Sequence, residues 1–167
     1  EYTNATTTGL VNAESKGWDK KILSMLDIDE SLFLPLCNPG TVLGEFSKNI
    51  QSELGFNSTV IFAPSHDTAS AVAACPLDEK SVYISSGTWS LVGTENTFPV
   101  LTSEAQKANF TNEGGAEYRF RFLKNIMGMW LFQNIRKELG KKYTYDEMMI
   151  MAMKSGYKKA FSPNLPS

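Results

Sequence analysis

Residues 65–72 of this 167-residue chain read SHDTASAV, and they directly follow a short apolar run, TVIFAP, at 59–64. The apolar run is rich in β-branched residues and predicts a buried strand. The small residues from Asp67 onward predict a helix that can lie close to a sheet or a ligand. A buried strand that leads straight into a helix indicates an α/β fold, and Asp67 stands at the junction.

The position of Asp67 suggests a chemical role. Open α/β sheets bind ligands beyond the carboxyl ends of their strands. A carboxylate at a helix N-terminus is favoured in its ionised form by the helix dipole, so it can accept a proton at neutral pH. Position alone leaves open a simpler interpretation, in which Asp67 is an N-cap that only stabilises its helix.

Several familiar catalytic motifs do not occur in the sequence. Ser65, His66 and Asp67 are the residue types of a hydrolase triad, but triad residues converge from separate parts of a chain. No G-x-S-x-G, P-loop or G-x-G-x-x-G motif is present. Cys37, Cys75 and the single histidine have no zinc-site spacing, so we expect no protein-held metal.

Charge and hydropathy exclude some classes of partner. The net charge of −2 gives no general reason to expect nucleic acid. Residues 118–159 carry ten of the 16 basic side chains and three acids, which fits either an anionic ligand or a solvated helix surface. No apolar run approaches the roughly 18–20 residues that span a bilayer. We therefore expect a cytoplasmic protein without nucleic-acid or membrane partners.

The charged turn CPLDEK at 75–80 is the predicted domain boundary, separating residues 1–75 from 76–167. Before it, helices are predicted at 18–28 and 45–55, with a loop at 35–44. After it, SVYISSGTWSLVGT predicts two strands that meet near Gly87 and Thr88. This turn could hold a phosphate with its hydroxyls and free N–H groups, or it could be an ordinary hairpin.

The basic third of the chain predicts one strand and two helices. AEYRFRFLK at 116–124 alternates, with the arginines on the polar side. KNIMGMWLFQNIRKELG at 124–140 predicts an amphipathic helix. TYDE at 144–147 is a capping box that opens a last helix. On the predicted 124–140 helix, Asn125 and Gln133 would lie about 12 Å apart along the axis and on roughly the same side.

Four stretches of the sequence occur together in one known family. SHDTASAV, YISSGTWSLVG, TNEGGAE and LKNIMGMWLFQ resemble, in order and spacing, the FGGY family of carbohydrate kinases. The form SGTWSLVG is similar to the branch that phosphorylates L-rhamnulose. The resemblance implies an α/β fold made of parts of two actin-like, ribonuclease H-like ATPase domains joined at a hinge. It also implies a kinase that uses ATP and Mg²⁺.

The resemblance further implies roles for individual residues. Asp67 matches the catalytic base that accepts the proton of the sugar's 1-hydroxyl. The other matched positions contact either the sugar (His66, Thr68 and Asn125, together with Asp67) or the nucleotide (Gly87, Thr88 and Gln133).

The sequence also departs from the family pattern. The family's first phosphate loop and its glycine-rich adenosine motif are both missing from these 167 residues. We therefore expect an internal fragment of a kinase, inactive when isolated. Two alternatives stay open: a kinase of another ketose, and a non-catalytic sugar-binding module of the same fold.

Overall fold

The computed structural model describes residues 1–78 and 80–159. The elements follow one another in this order: α1 (Tyr2–Ala5), α2 (Lys20–Met25), β1 (Val42–Glu45), α3 (Lys48–Leu54), β2 (Thr59–Ile61), α4 (Asp67–Ala73), β3 (Tyr83–Ser86), β4 (Trp89–Asn96), α5 (Ser103–Lys107), β5 (Thr111–Gly114), β6 (Phe120–Met127), α6 (Trp130–Glu138) and α7 (Tyr145–Lys154). Short 3₁₀ turns lie between some of them.

The strands form two separate sheets. Strands β1 and β2 pair antiparallel in a two-stranded sheet, with a register irregularity between Val42 and Gly44. The other four strands form a sheet in the order β3-β4-β6-β5. Strands β5 and β6 are antiparallel, from the pair Thr111–Leu123 to the pair Gly114–Phe120.

The chain divides into two compact units. The first contains Glu1–Ile84 and Val92–Lys124, and the second contains Ser85–Leu91 and the chain from Asn125 onward. Among the described residues, most of the buried apolar side chains lie in the first unit: Tyr2, Leu23, Ala69, Val72, Tyr83, Phe120 and Leu123. These units do not coincide with the division at residue 75, and the domain boundary stays a prediction.

Several predicted elements are confirmed. Helix α3 ends at Gly55, whose φ of 75° is the left-handed conformation expected of a C-terminal glycine. Helix α4 begins at Asp67, immediately after the extended residue His66. Helix α7 opens with the complete capping box of Thr144 and Glu147. No helix among residues 1–78 and 80–159 is long and apolar enough to cross a membrane.

Three local predictions were wrong. The predicted loop at 35–44 contains the start of β1, because residues 42–45 pair with β2. Strand β2 is not buried, and Ile61 is 56% exposed. The alternating segment at 116–124 is not a strand throughout, because Glu117 and Tyr118 have positive φ and β6 begins at Phe120.

The predicted helix over 124–140 was also wrong in its first part. Strand β6 continues to Met127, and α6 begins only at Trp130. Asn125 therefore lies on a strand and Gln133 on a helix, so the argument that placed both on one helical face does not hold. The pairing of β6 within the sheet overrides the local helical pattern of residues 124–127.

Candidate active site

Asp67 occupies the first position of α4 and points into solvent, with its side chain 96% exposed. Its Oδ1 atom accepts a hydrogen bond of 2.6 Å from the backbone N–H of Thr68. The Thr68 hydroxyl lies 3.4 Å from the same oxygen. Among the described residues, no hydrogen bond uses Oδ2 of Asp67. The carboxylate is thus fixed through one oxygen, and the other is free to accept a proton.

His66 lies between this carboxylate and the ion pair of Arg121 and Glu113. Its Nε2 atom lies 3.8 Å from Oδ1 of Asp67, beyond hydrogen-bonding distance. Its Nδ1 atom lies 2.9 Å from NH2 of Arg121. The same NH2 group donates to Oε2 of Glu113 at 2.9 Å. His66, Arg121 and Glu113 therefore form a continuous polar row that ends beside Asp67.

Arg121 is completely buried. Its Nε–H donates to the backbone carbonyl of Gly114 at 3.2 Å, in addition to the contacts of NH2. A charged side chain in a core is costly unless it is paired and hydrogen-bonded, and Glu113 and the Gly114 carbonyl supply these partners.

The loop that precedes Asp67 is held by the first residues of the chain. Glu1 Oε2 accepts hydrogen bonds from the backbone N–H of Ser65 at 3.0 Å and from its hydroxyl at 2.7 Å. The hydroxyl of Thr3 accepts a bond from the backbone N–H of His66 at 3.3 Å. Burial works to raise the pKa of the Glu1 carboxyl, but the hydrogen bonds from Thr3 and Ser65 outweigh it and lower the pKa to about 2.

The second candidate region is the turn between β3 and β4. The carbonyl oxygens of Gly87 and Thr88 accept hydrogen bonds from the backbone N–H groups of Met129 (2.9 Å) and Trp130 (3.1 Å). Gly128 permits this approach, because a Cβ atom there would lie 2.4 Å from the Gly87 oxygen. The start of α6 is therefore docked on the turn through backbone atoms.

The remaining predicted site residues lie on this second compact unit. Gly87, Thr88, Asn125 and Gln133 are all exposed. No hydrogen bond in the described part of the chain uses the Thr88 hydroxyl, so it is available to a ligand. The structure thus brings Asp67 together with His66 and Thr68 in the first unit, and Gly87 together with Thr88 in the second.

The sequence did not indicate four residues that contact Ser65 or His66 or support those contacts beside Asp67. They are Glu1, Thr3, Glu113 and Arg121. Glu113 and Arg121 face each other across the β5–β6 pair, and this contact depends on strand register. The only available signal was an arginine in an alternating strand, and its pattern favoured a solvent-facing position. Glu1 and Thr3 act over about sixty residues of sequence, and no local pattern indicates such a contact.

Comparison with known proteins agrees with this architecture. Two models of one family match, namely the N-terminal domain of the FGGY family of carbohydrate kinases at residues 1–74 and the C-terminal domain at residues 82–164. Together they account for nearly the whole chain. The chain therefore belongs to the FGGY family of carbohydrate kinases.

Three similar curated relatives are rhamnulokinases. That of Oceanobacillus iheyensis is 48% identical over 95% of this chain, and that of Halalkalibacterium halodurans is 44% identical over 99% of it. The Enterococcus faecalis protein is 46% identical over 92% of the chain. The chain spans about a third of each relative's own length, at 34%, 36% and 32%.

Solved structures show the same fold at lower identity. A ligand-bound xylulose kinase from Lactobacillus acidophilus aligns over 91% of this chain and 31% of its own, with a TM-score of 0.74 and 19% identity. A gluconate kinase from the same organism aligns over 81% of this chain and 27% of its own, with a TM-score of 0.66 and 19% identity. The predicted fold class, α/β with parts of two actin-like domains, is confirmed.

Proposed function

We propose that this chain is part of an ATP-dependent kinase that phosphorylates L-rhamnulose at its 1-hydroxyl. The observation that carries the proposal is Asp67, an exposed carboxylate at the start of α4 with one oxygen unused, in a chain 44–48% identical to rhamnulokinases. L-Rhamnulose is favoured over other ketoses because the three relatives above share the name rhamnulokinase.

Asp67 would act as the general base. An ionised carboxylate can take the proton of the sugar hydroxyl as that oxygen attacks phosphorus, a contribution of about 10²–10⁴-fold to the rate. His66 and Thr68 flank it and would contact the sugar, with Asn125 as a further contact. Phosphoryl transfer depends mainly on positioning and on stabilising charge, so the loop needs rigid support. Glu1 and Thr3 supply that support through their bonds to Ser65 and His66.

The residues of the β3–β4 turn fit a nucleotide phosphate. The Thr88 side chain is exposed, and Gly87 adds no side chain beside it. Gln133, on α6, would contact the nucleotide as well. ATP would supply the transferred phosphoryl group.

Magnesium would be brought by the nucleotide. No group of three or more metal-ligating side chains occurs within the described ranges. Magnesium does not require such a cage, because it commonly binds through substrate phosphates, water and one or two carboxylates. A cytoplasmic location is part of the same proposal, since ATP and a free sugar are the expected substrates.

The decisive experiment is Asp67→Asn in the full-length protein expressed from its gene. Asparagine keeps the shape of the side chain but cannot accept the proton. We expect kcat to fall about 10²–10⁴-fold while the dissociation constant for L-rhamnulose stays nearly unchanged. Coupled ADP release gives kcat, and calorimetry gives the sugar affinity.

Asp146→Asn is the matched control, because Asp146 is also an exposed aspartate in the first turn of a helix. It should keep wild-type kinetics. Retention of more than about a tenth of kcat by Asp67→Asn would rule out Asp67 as the base. Sugar binding without any ATP-dependent turnover in the wild type would favour a non-catalytic module. Faster turnover of another ketose would change the substrate.

A further inference from the structure

We propose that Arg121, held by Glu113, is a positioning residue that fixes the ring of His66 with its proton on Nε2, facing Asp67. The inference rests on the proposed function for its catalytic meaning, because it assigns the support of a residue beside the base. The geometry on which it depends lies entirely within the first compact unit.

The chemistry of arginine determines the tautomer. A guanidinium group has only N–H donors and stays charged in proteins. The 2.9 Å contact between NH2 of Arg121 and Nδ1 of His66 is therefore a hydrogen bond only if Nδ1 accepts it. In the neutral ring the single proton must then be on Nε2. That atom is the one that lies 3.8 Å from Oδ1 of Asp67.

The burial of Arg121 indicates that its contact with His66 has a role beyond packing. The side chain has no exposed surface, and the removal of a charge from water is costly before its interactions are counted. Glu113 and the Gly114 carbonyl offset part of this cost. Replacement of a whole buried ion pair by apolar residues is often neutral or stabilising, so packing alone does not account for an arginine at this position.

A proton on Nε2 of His66 gives the proposed base a hydrogen-bond donor as its neighbour. An Nε2–H group beside an ionised carboxylate can donate to a sugar oxygen that approaches Asp67, while the carboxylate accepts that sugar's hydroxyl proton. If the ring carried its proton on Nδ1 instead, the unprotonated Nε2 would face the carboxylate, and two acceptors would compete for the same hydroxyl. Arg121 excludes that arrangement by occupying Nδ1.

The tautomer can be measured directly, because His66 is the only histidine in the chain. Ring ¹⁵N shifts of ¹⁵N-histidine-labelled protein distinguish protonated from unprotonated nitrogen, and magic-angle-spinning NMR does not require a monomeric sample. At about pH 8.5 we expect one neutral tautomer, with the proton on Nε2. A proton on Nδ1, or an average of both tautomers, would overturn the proposal.

Two variants separate this role from a general effect on folding. Arg121→Met removes the donor and should give a mixture of tautomers. Arg119→Met is the matched control, because Arg119 precedes β6 and pairs instead with Glu95 at 2.8 Å. It should leave the His66 signals unchanged. If Arg121→Met fails to fold, the wild-type spectrum alone decides.

A kinetic measurement on the full-length protein tests the catalytic meaning. We expect Arg121→Met to weaken catalysis with the sugar about 10–100-fold in kcat/KM, the size of one charged hydrogen bond, with the KM for ATP unchanged. An equal effect on both substrates would contradict the positioning role.

The two proposals can fail separately, because the tautomer is measured without turnover. An active Asp67→Asn variant would refute the base and leave the His66 result standing.

Discussion

The carboxylate of Glu1 shows how one residue can support a loop that is distant in sequence, here the loop before Asp67. It accepts hydrogen bonds from Thr3 and from the backbone and hydroxyl of Ser65, directly before His66. The net effect of these bonds on the pKa exceeds that of burial, which acts in the opposite direction. An ionised Glu1 is therefore stabilised in the folded chain relative to the unfolded one.

This pKa shift predicts a pH dependence of stability. The pKa of Glu1 falls from 4.5 to about 2 on folding, so its contribution is fully present above about pH 4.5 and is lost as pH falls toward 2. Glu1→Gln should be less stable than wild type at neutral pH, and the difference should shrink across that window. Urea unfolding, followed by tryptophan fluorescence at several pH values, measures it. A difference that stays constant from pH 6 to pH 2 would contradict the prediction.

The control for this experiment is Glu14→Gln. Glu14 lies in the same compact unit and is exposed, and no side-chain hydrogen bond of its carboxylate occurs within residues 1–78 and 80–159. Its replacement should change stability little at any pH, because surface substitutions away from specific contacts usually have small effects.

Asp67 and Arg121 show what the sequence could and could not predict at the residue scale. The place of Asp67, between a strand and a helix, follows from local patterns, and the structure has it there. The burial of Arg121 does not follow, because alternation assigned the arginines to the polar side. Arg121 faces Glu113 across β5 and β6, and local sequence does not specify that register.

At the scale of elements, the segment from β6 to α6 shows the limit of periodicity. Apolar residues at 126–127 fit both a strand and the first turn of a helix, and short apolar runs do not distinguish the two. Pairing with neighbouring strands decides for the strand as far as Met127. Helix α7 was easier to predict, because its capping box is a local interaction that needs no distant partner.

Gly128 lies between β6 and α6 and allows the start of α6 to pack against the β3–β4 turn. A Cβ atom at this position would lie 2.4 Å from the Gly87 oxygen and 2.4 Å from the Ser90 hydroxyl oxygen. Gly128→Ala must therefore push α6 away from the β3–β4 turn. We expect a loss of about 1–3 kcal/mol in unfolding free energy, as for other overpacked sites. In the full-length protein we also expect a higher KM for ATP.

Gly17→Ala is the matched control, because a Cβ atom there would meet nothing within 4 Å and the backbone is not left-handed. It should change stability by only a few tenths of a kcal/mol. Equal stability of Gly128→Ala and Gly17→Ala would show that the turn is not held against α6 in the way that the structure describes.

At the scale of the whole molecule, many large apolar side chains of the described residues are exposed. Leu34, Phe98 and Met153, for example, are 83%, 77% and 79% exposed. Exposed apolar side chains favour association with other protein surfaces.

The exposed apolar side chains and the proposed mechanism together predict how residues 1–167 behave on their own. We expect them to give no ATP-dependent turnover of L-rhamnulose, because the family's first phosphate loop and adenosine motif do not occur in this sequence. Without them the nucleotide is not positioned, and positioning supplies most of the catalysis in phosphoryl transfer. We also expect self-association through the exposed apolar side chains. Coupled ADP release and size-exclusion chromatography test both, with the full-length protein as the positive control. Turnover by a monodisperse monomer of 167 residues would show that this chain is a complete enzyme.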